Sequence, residues 1–177
     1  MILIVDMSSN PLSRYEFVDP IRRIVEGSGL SAHVVHYSKI DATSVIKYDK
    51  IILCGTALAD NDFLTHNFSW LKTTKKQIFG ICAGMEAIAK AFGGKVTDSK
   101  EIGMAEIISS DELIGKGKVS VYALHGKGVE LPQGFTETAN NKNCVQAMEK
   151  DKIYCIQFHP EVRNEKILRR WLVSGHV

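Results

Sequence analysis

No stretch of the 177 residues approaches the roughly 20 consecutive apolar residues that a membrane-spanning helix needs, so a helical transmembrane segment is excluded. Like charges form no block, and the net charge is only +2. That leaves no basic field to attract nucleic acid, and Lys72, Lys75 and Lys76 read as a solvated helix end. The four cysteines, Cys54, Cys82, Cys144 and Cys155, form no C-x-x-C pair and show no ligand spacing with histidine. Their pattern demands neither a metal nor a disulfide framework, and it fits a reducing, cytoplasmic compartment. There is no G-x-x-x-x-G-K-[ST] phosphate loop, no internal repeat and no low-complexity linker. The opening MILIVDMSS lacks a charged n-region and a cleavage site, so no signal peptide is expected. Nothing calls for an organic cofactor.

What is present is a globular composition, 45% hydrophobic and 24% charged, with residues 1–177 expected to form a single domain. Met1 to Asp6 is a continuous apolar run, the mark of a central parallel strand buried on both faces. Further strands are expected over Ser31–Tyr37 and Lys50–Gly55. A helix is expected from about Arg14 to Glu26, where Pro20 imposes either a start at Asp19 or a kink, and Gly27 and Gly29 end it. Asp41 or Thr43 is expected to cap a short helix, and His33 and His36 read as packed or surface residues. This alternation predicts an α/β fold: a doubly wound, mostly parallel central sheet with helices on both faces. Segments 103–109, 118–124, 135–139 and 145–149 add a small antiparallel strand set, and an amphipathic helix over Asn164–Ser174 closes the chain.

Two segments carry chemistry. Gln77 to Ile81 reads as a buried strand and Ala83 onward as a helix, with Cys82 at the join and Gly80 and Gly84 two residues to either side. G-x-C-x-G is the strand-to-helix elbow of G-x-S-x-G with a thiol for the hydroxyl. A helix N-terminus favours a thiolate and offers N–H groups to an oxyanion. The second segment, residues 153–158, reads as an interior strand delivering His159 to its carboxyl end, where chemistry collects in open α/β sheets. Glu161 lies two residues on, placed to hold the second imidazole nitrogen. A lone cysteine in a turn is more often an inert buried thiol; the pair of segments favours a nucleophile and its base.

GICAG around Cys82, FHPE at 158–161 and the order of elements resemble the class I (triad) glutamine amidotransferases along nearly the whole chain. The runs LHGKGVELPQGF (124–135) and CVQAMEKDKIYCIQFHPEV (144–162) resemble the glutaminase subunit of the GMP-synthetase type. The resemblance implies a flavodoxin-like fold and hydrolysis of the glutamine side-chain amide through a Cys82 thioester, with His159 and Glu161 completing the triad. It also implies an oxyanion hole from the N–H groups of Ala83 and Thr56, and substrate contacts from Gly55, Glu86 and His125. The partner it implies is an ATP-dependent synthetase subunit that receives the ammonia. Three positions depart from the family pattern. Gly55-Thr56-Ala57 replaces Gly-Gly-Pro, Glu86 replaces a glutamine, and His125-Gly126-Lys127 replaces His-x-Asp. Two alternatives stay open: a stand-alone γ-glutamyl hydrolase-like enzyme, favoured by Glu86, and a catalytically weak binding or regulatory homologue, favoured by Thr56 and Lys127.

Overall fold

The computed structural model describes residues 1–175. Its strands are β1 (Ile2–Asp6), β2 (Ala32–His36), β3 (Lys50–Leu53), β4 (Gln77–Ile81), β5 (Val96–Ser109), β6 (Gly117–Val129), β7 (Thr136–Asn140), β8 (Val145–Lys150) and β9 (Ile153–Ile156). They join into one sheet in the order β2-β1-β3-β4-β9-β8-β7-β5-β6. The pairs from β2 through β9 are parallel, and from β9 onward the remaining pairs are antiparallel.

Period-two alternation explains why the sheet is covered on both sides. Leu3, Val5, Ile51 and Leu53 meet Met85 and Ile88 in one core, whereas Ile2, Ile4 and Ile52 meet Ile21, Ile24 and Trp171 in the other. The helices are α1 (Arg14–Phe17), α2 (Asp19–Glu26), α3 (Ala83–Ala91) and α4 (Lys166–Val173). No helix among the described residues is long and apolar enough to cross a membrane.

Several local expectations change. The helix over 14–26 is two helices meeting at Val18 (φ −107°), with Asp19 as the first residue of α2 and Pro20 following. Asp19 makes no cap; its carboxylate lies 3.6 Å from Arg14 and 3.7 Å from Arg22. Asp41 Oδ1 does accept from the N–H groups of Thr43 (3.0 Å) and Ser44 (2.7 Å), but no helix follows. The chain proceeds through single turns because Thr43, Val45 and Ile46 are β-branched and helix-poor. α4 starts at Lys166, since Asn164 sits at φ +75° and gives its amide to Ser120 O at 3.0 Å. The antiparallel strands are also longer than expected, β5 and β6 forming a ribbon of 14 and 13 residues with a bulge between Asp98 and Glu101. β9 ends at Ile156, so the segment carrying His159 lies just beyond the strand.

Candidate active site

Cys82 joins β4 to α3 at φ +49°, ψ −107°, a conformation that costs an ordinary residue on the order of 1–3 kcal/mol. The strain is held from both sides: Cys82 N–H donates to Ile156 O at 2.9 Å, and Glu86 N–H donates to Cys82 O at 3.0 Å. The flanking glycines are steric requirements. A Cβ on Gly84 would lie 2.4 Å from Leu53 O, and one on Gly80 would lie 2.7 Å from Ile88 Cδ1.

β9 pairs directly with β4, Ile156 standing opposite Ile81, so the chain leaving β9 passes beside the elbow. His159 is anchored there by its N–H to Tyr122 O (2.9 Å) and by the Phe17 ring, 5.5 Å away between centroids. Its Nδ1 donates to Glu161 Oε1 at 2.7 Å, both side chains being 1% exposed. Its Nε2 lies 3.3 Å from Leu124 O, and the Cys82 thiol lies 3.7 Å from the same carbonyl. The thiol and the imidazole thus share one carbonyl as their neighbour, close enough for each to shift the other's protonation. Gly55 sits where they meet. A Cβ there would be 2.6 Å from His159 Cε1 and 3.5 Å from Cys82 Cβ.

In front of the thiol lies a cavity of about 20 Å³, walled by Thr56, Ala83, Glu86, Leu124 and Lys127 among others. That is room for about one water. Thr56 is held by its hydroxyl to Asp60 Oδ2 (2.9 Å), and the same oxygen accepts from Ser9 N–H at 2.6 Å.

Residues 14–173 match the family model of class-I glutamine amidotransferase. The chain belongs to that family. The chain is 33% identical to a glutamine-hydrolyzing GMP synthase of Borreliella burgdorferi over 93% of its own length. It spans about a third (34%) of that relative. It is also 33% identical to a subunit of the glutamine-hydrolyzing GMP synthase of Methanosarcina acetivorans, with 85% of each chain covered. Its fold superposes on a crystal structure described as a GMP synthase subunit from Thermoplasma acidophilum with a TM-score of 0.80, at 26% identity over 97% of this chain and 91% of that one.

Electrostatics at this site differ from the expectation of a helix-lowered thiol. Burial pushes the Cys82 thiol above its usual value, with the His159 hydrogen bond and charge and the Ala83 N–H pulling the other way. Desolvation over a fully enclosed side chain outweighs the helix-terminus effect. Burial also works against charge on His159, but the Glu161 and Cys82 side chains outweigh it and raise the imidazole well above its ordinary value. Glu86 is 4% exposed, and burial lifts its carboxyl to about 7 against the opposing pull of Gln157, Lys127 and His159.

Gln157, Asp60 and the Leu124 carbonyl were not singled out by sequence reasoning. Gln157 Nε2 lies 3.1 Å from Glu86 Oε1 and 3.8 Å from Cys82 Sγ, which ties the carboxyl to the thiol. His125 reaches the cavity wall, but its ring nitrogens engage β5: Nδ1 donates to Ser99 O at 2.9 Å, and Nε2 stands 3.4 Å from Glu101 Oε2. Lys127 turns its ammonium to Asp98 at 2.7 Å.

Proposed function

We propose that residues 1–177 act as a single glutaminase domain in which Cys82 is the nucleophile, His159 the acid–base and Glu161 its orienting carboxylate. Cys82 passes its thiol proton to His159 as Sγ bonds to the γ-carbonyl carbon of glutamine, and the N–H groups of Ala83 and Thr56 receive the oxyanion. Collapse of the tetrahedral species breaks the C–N bond while His159 gives a proton to the departing ammonia. His159 then takes a proton from water, which cleaves the γ-glutamyl thioester to glutamate and restores the thiol. The observation that carries this reading is the three-way approach at Gly55, where imidazole and Cys82 converge on a position that tolerates no side chain.

The ammonia goes to a separate ATP-dependent synthetase subunit of the GMP type, placing the reaction in cytoplasmic purine synthesis. Similarity over 85% of both chains to the Methanosarcina acetivorans GMP synthase subunit supports this acceptor. Gly55, Glu86 and His125 line the substrate's approach, with Glu86 protonated when glutamine's own carboxylate is near. A cavity of about 20 Å³ does not admit a glutamine side chain, so the Thr56 loop and the Lys127 wall separate when substrate or partner binds. Activity of the isolated chain is therefore low.

Ammonia release from glutamine, assayed with and without a GMP-type synthetase partner, tests this. Release should rise with the partner and fall by on the order of 10⁴-fold or more in Cys82→Ser. An electrophilic glutamine analogue should label Cys82 alone. A folded parent chain that neither releases ammonia with the partner nor reacts with the analogue would overturn the assignment. The carboxyl at Glu86 favours a second reading, γ-glutamyl peptide hydrolysis, which predicts release of the peptide amine without any partner.

A further inference from the structure

Residues far apart in sequence meet on the sheet behind the cavity wall. Glu101 on β5 stands opposite His125 on β6, and Cys144 comes from the turn between β7 and β8. One donor atom from each lies within 4.8 Å of the other two. Separate elements supply them, so no ligand spacing is visible along the chain.

His125 is the telling member. It is 1% exposed, and its Nε2 is buried without a hydrogen-bond partner. The β5 bulge between Asp98 and Glu101 frees the Ser99 carbonyl to accept from Nδ1, which fixes the proton on that nitrogen. Nε2 then presents a lone pair to the Glu101 carboxylate at 3.4 Å. Gln146 also donates to that carboxylate oxygen, and a cation between the imidazole lone pair and the carboxylate would satisfy both.

The surrounding side chains orient the donors. Asn141 holds Glu101 Oε1 at 2.8 Å, leaving Oε2 for His125, and Gln146 Nε2 lies 3.0 Å from Oε2 and 3.3 Å from Cys144 Sγ. Gly128 leaves space for the close approach: a Cβ on it would lie 2.9 Å from Cys144 Cβ and 3.0 Å from Ser99 Cβ. A histidine that donates one nitrogen to a backbone carbonyl and aims the other at carboxylate and thiol is the arrangement protein metal sites use.

We propose that Glu101, His125 and Cys144 form a divalent-cation site, with zinc the ion best matched to its mixed oxygen, nitrogen and sulfur donors. Zinc–ligand lengths of about 2.0–2.3 Å give donor–donor separations of about 3.5 Å, so the donors close by about 1 Å on binding. Cys144 and Glu101, both partly exposed, supply that movement. The thiol releases its proton as the ion binds, and water completes the tetrahedron. The ion ties the β5–β6 ribbon to the β7–β8 turn, behind the wall that carries Lys127.

The test uses the full chain, stripped with a chelator, in a Cys82→Ser background so that the triad cannot contribute a thiol. Zinc titration against a chromophoric chelator should give one ion per chain, and cobalt should produce a thiolate charge-transfer band. Adding Cys144→Ser should weaken zinc binding by more than the about 10–100-fold typical of losing an outer-shell partner, and abolish the band. Glu101→Gln, whose one amide oxygen can still accept from Asn141 or from Gln146, should also weaken zinc binding, and it serves if the serine variant does not fold. Substoichiometric binding in the Cys82→Ser chain, or equal zinc affinity in the folded ligand variants, would overturn the site.

Discussion

Replacing Glu86 with glutamine separates a buried ionisable group from everything around it. The carboxyl lifts from 4.5 to about 7 in the folded chain, a displacement of about 2.5 that at about 1.4 kcal/mol each amounts to about 3 kcal/mol. Because the folded pKa of this acid is raised, the native state keeps a proton that the unfolded chain has already released. Its stabilising effect is therefore present in acid and is lost as pH climbs from about 4.5 to about 7. Glutamine is never charged, and its amide oxygen can still accept from Gln157 Nε2. Urea unfolding of parent and Glu86→Gln, followed by tryptophan fluorescence, should show the variant gaining on the parent by about 2 kcal/mol between about pH 5.5 and about pH 8. Taking the difference between the two proteins cancels the other titrating groups. A stability difference that does not change with pH, or a parent more stable than the variant at the alkaline end, would refute the buried-acid account. Glu86 also raises the Cys82 thiol, so the variant should alkylate faster at neutral pH.

Gly55→Ala places a methyl 2.6 Å from His159 Cε1 and should displace the ring, lowering ammonia release by about 100-fold with the circular dichroism spectrum unchanged. Glu161→Gln removes a carboxylate that raises the His159 pKa; the imidazole titration followed by NMR should move to lower pH, and turnover should fall by on the order of 10²–10⁴-fold. Asp60→Ala frees both Thr56 and Ser9, and should reduce turnover by on the order of 10²-fold if the Thr56 N–H is an oxyanion donor. Steady-state ammonia assays should show that loss in kcat rather than KM.

The elbow was legible because two glycines flanking one cysteine have few uses, and the contacts at Gly84 and Gly80 give the reason. The strand before His159 was legible from its apolar run, although the register that brings it against β4 is a property of the sheet. Gln157 was hidden for that reason: inside the run at 153–158 it reads as one more strand position, but β9 ends at Ile156 and the side chain turns to Glu86 and Cys82. Asp60 looks like any loop acid until Ser9, 51 residues away, is folded against it. The helix expected after Asp41 failed because a capping pattern only starts a helix, and the β-branched residues behind it do not propagate one. The thiol's state was misjudged from local geometry alone, since the depth of burial depends on every neighbouring element.

The Cys82 sulfur follows the end of β4 and the His159 imidazole the end of β9, two strands that the backbone ladder locks in step, Gly80 opposite Cys155 and Ile81 opposite Ile156. Their separation is thus set first by main-chain hydrogen bonds, with Gly55, Phe17 and Glu161 fixing where the ring sits. Loops above that edge can lengthen or shorten while the spacing of sulfur and imidazole stays constant. A module built this way is portable: its centre can stay the same while only the turns that surround it change.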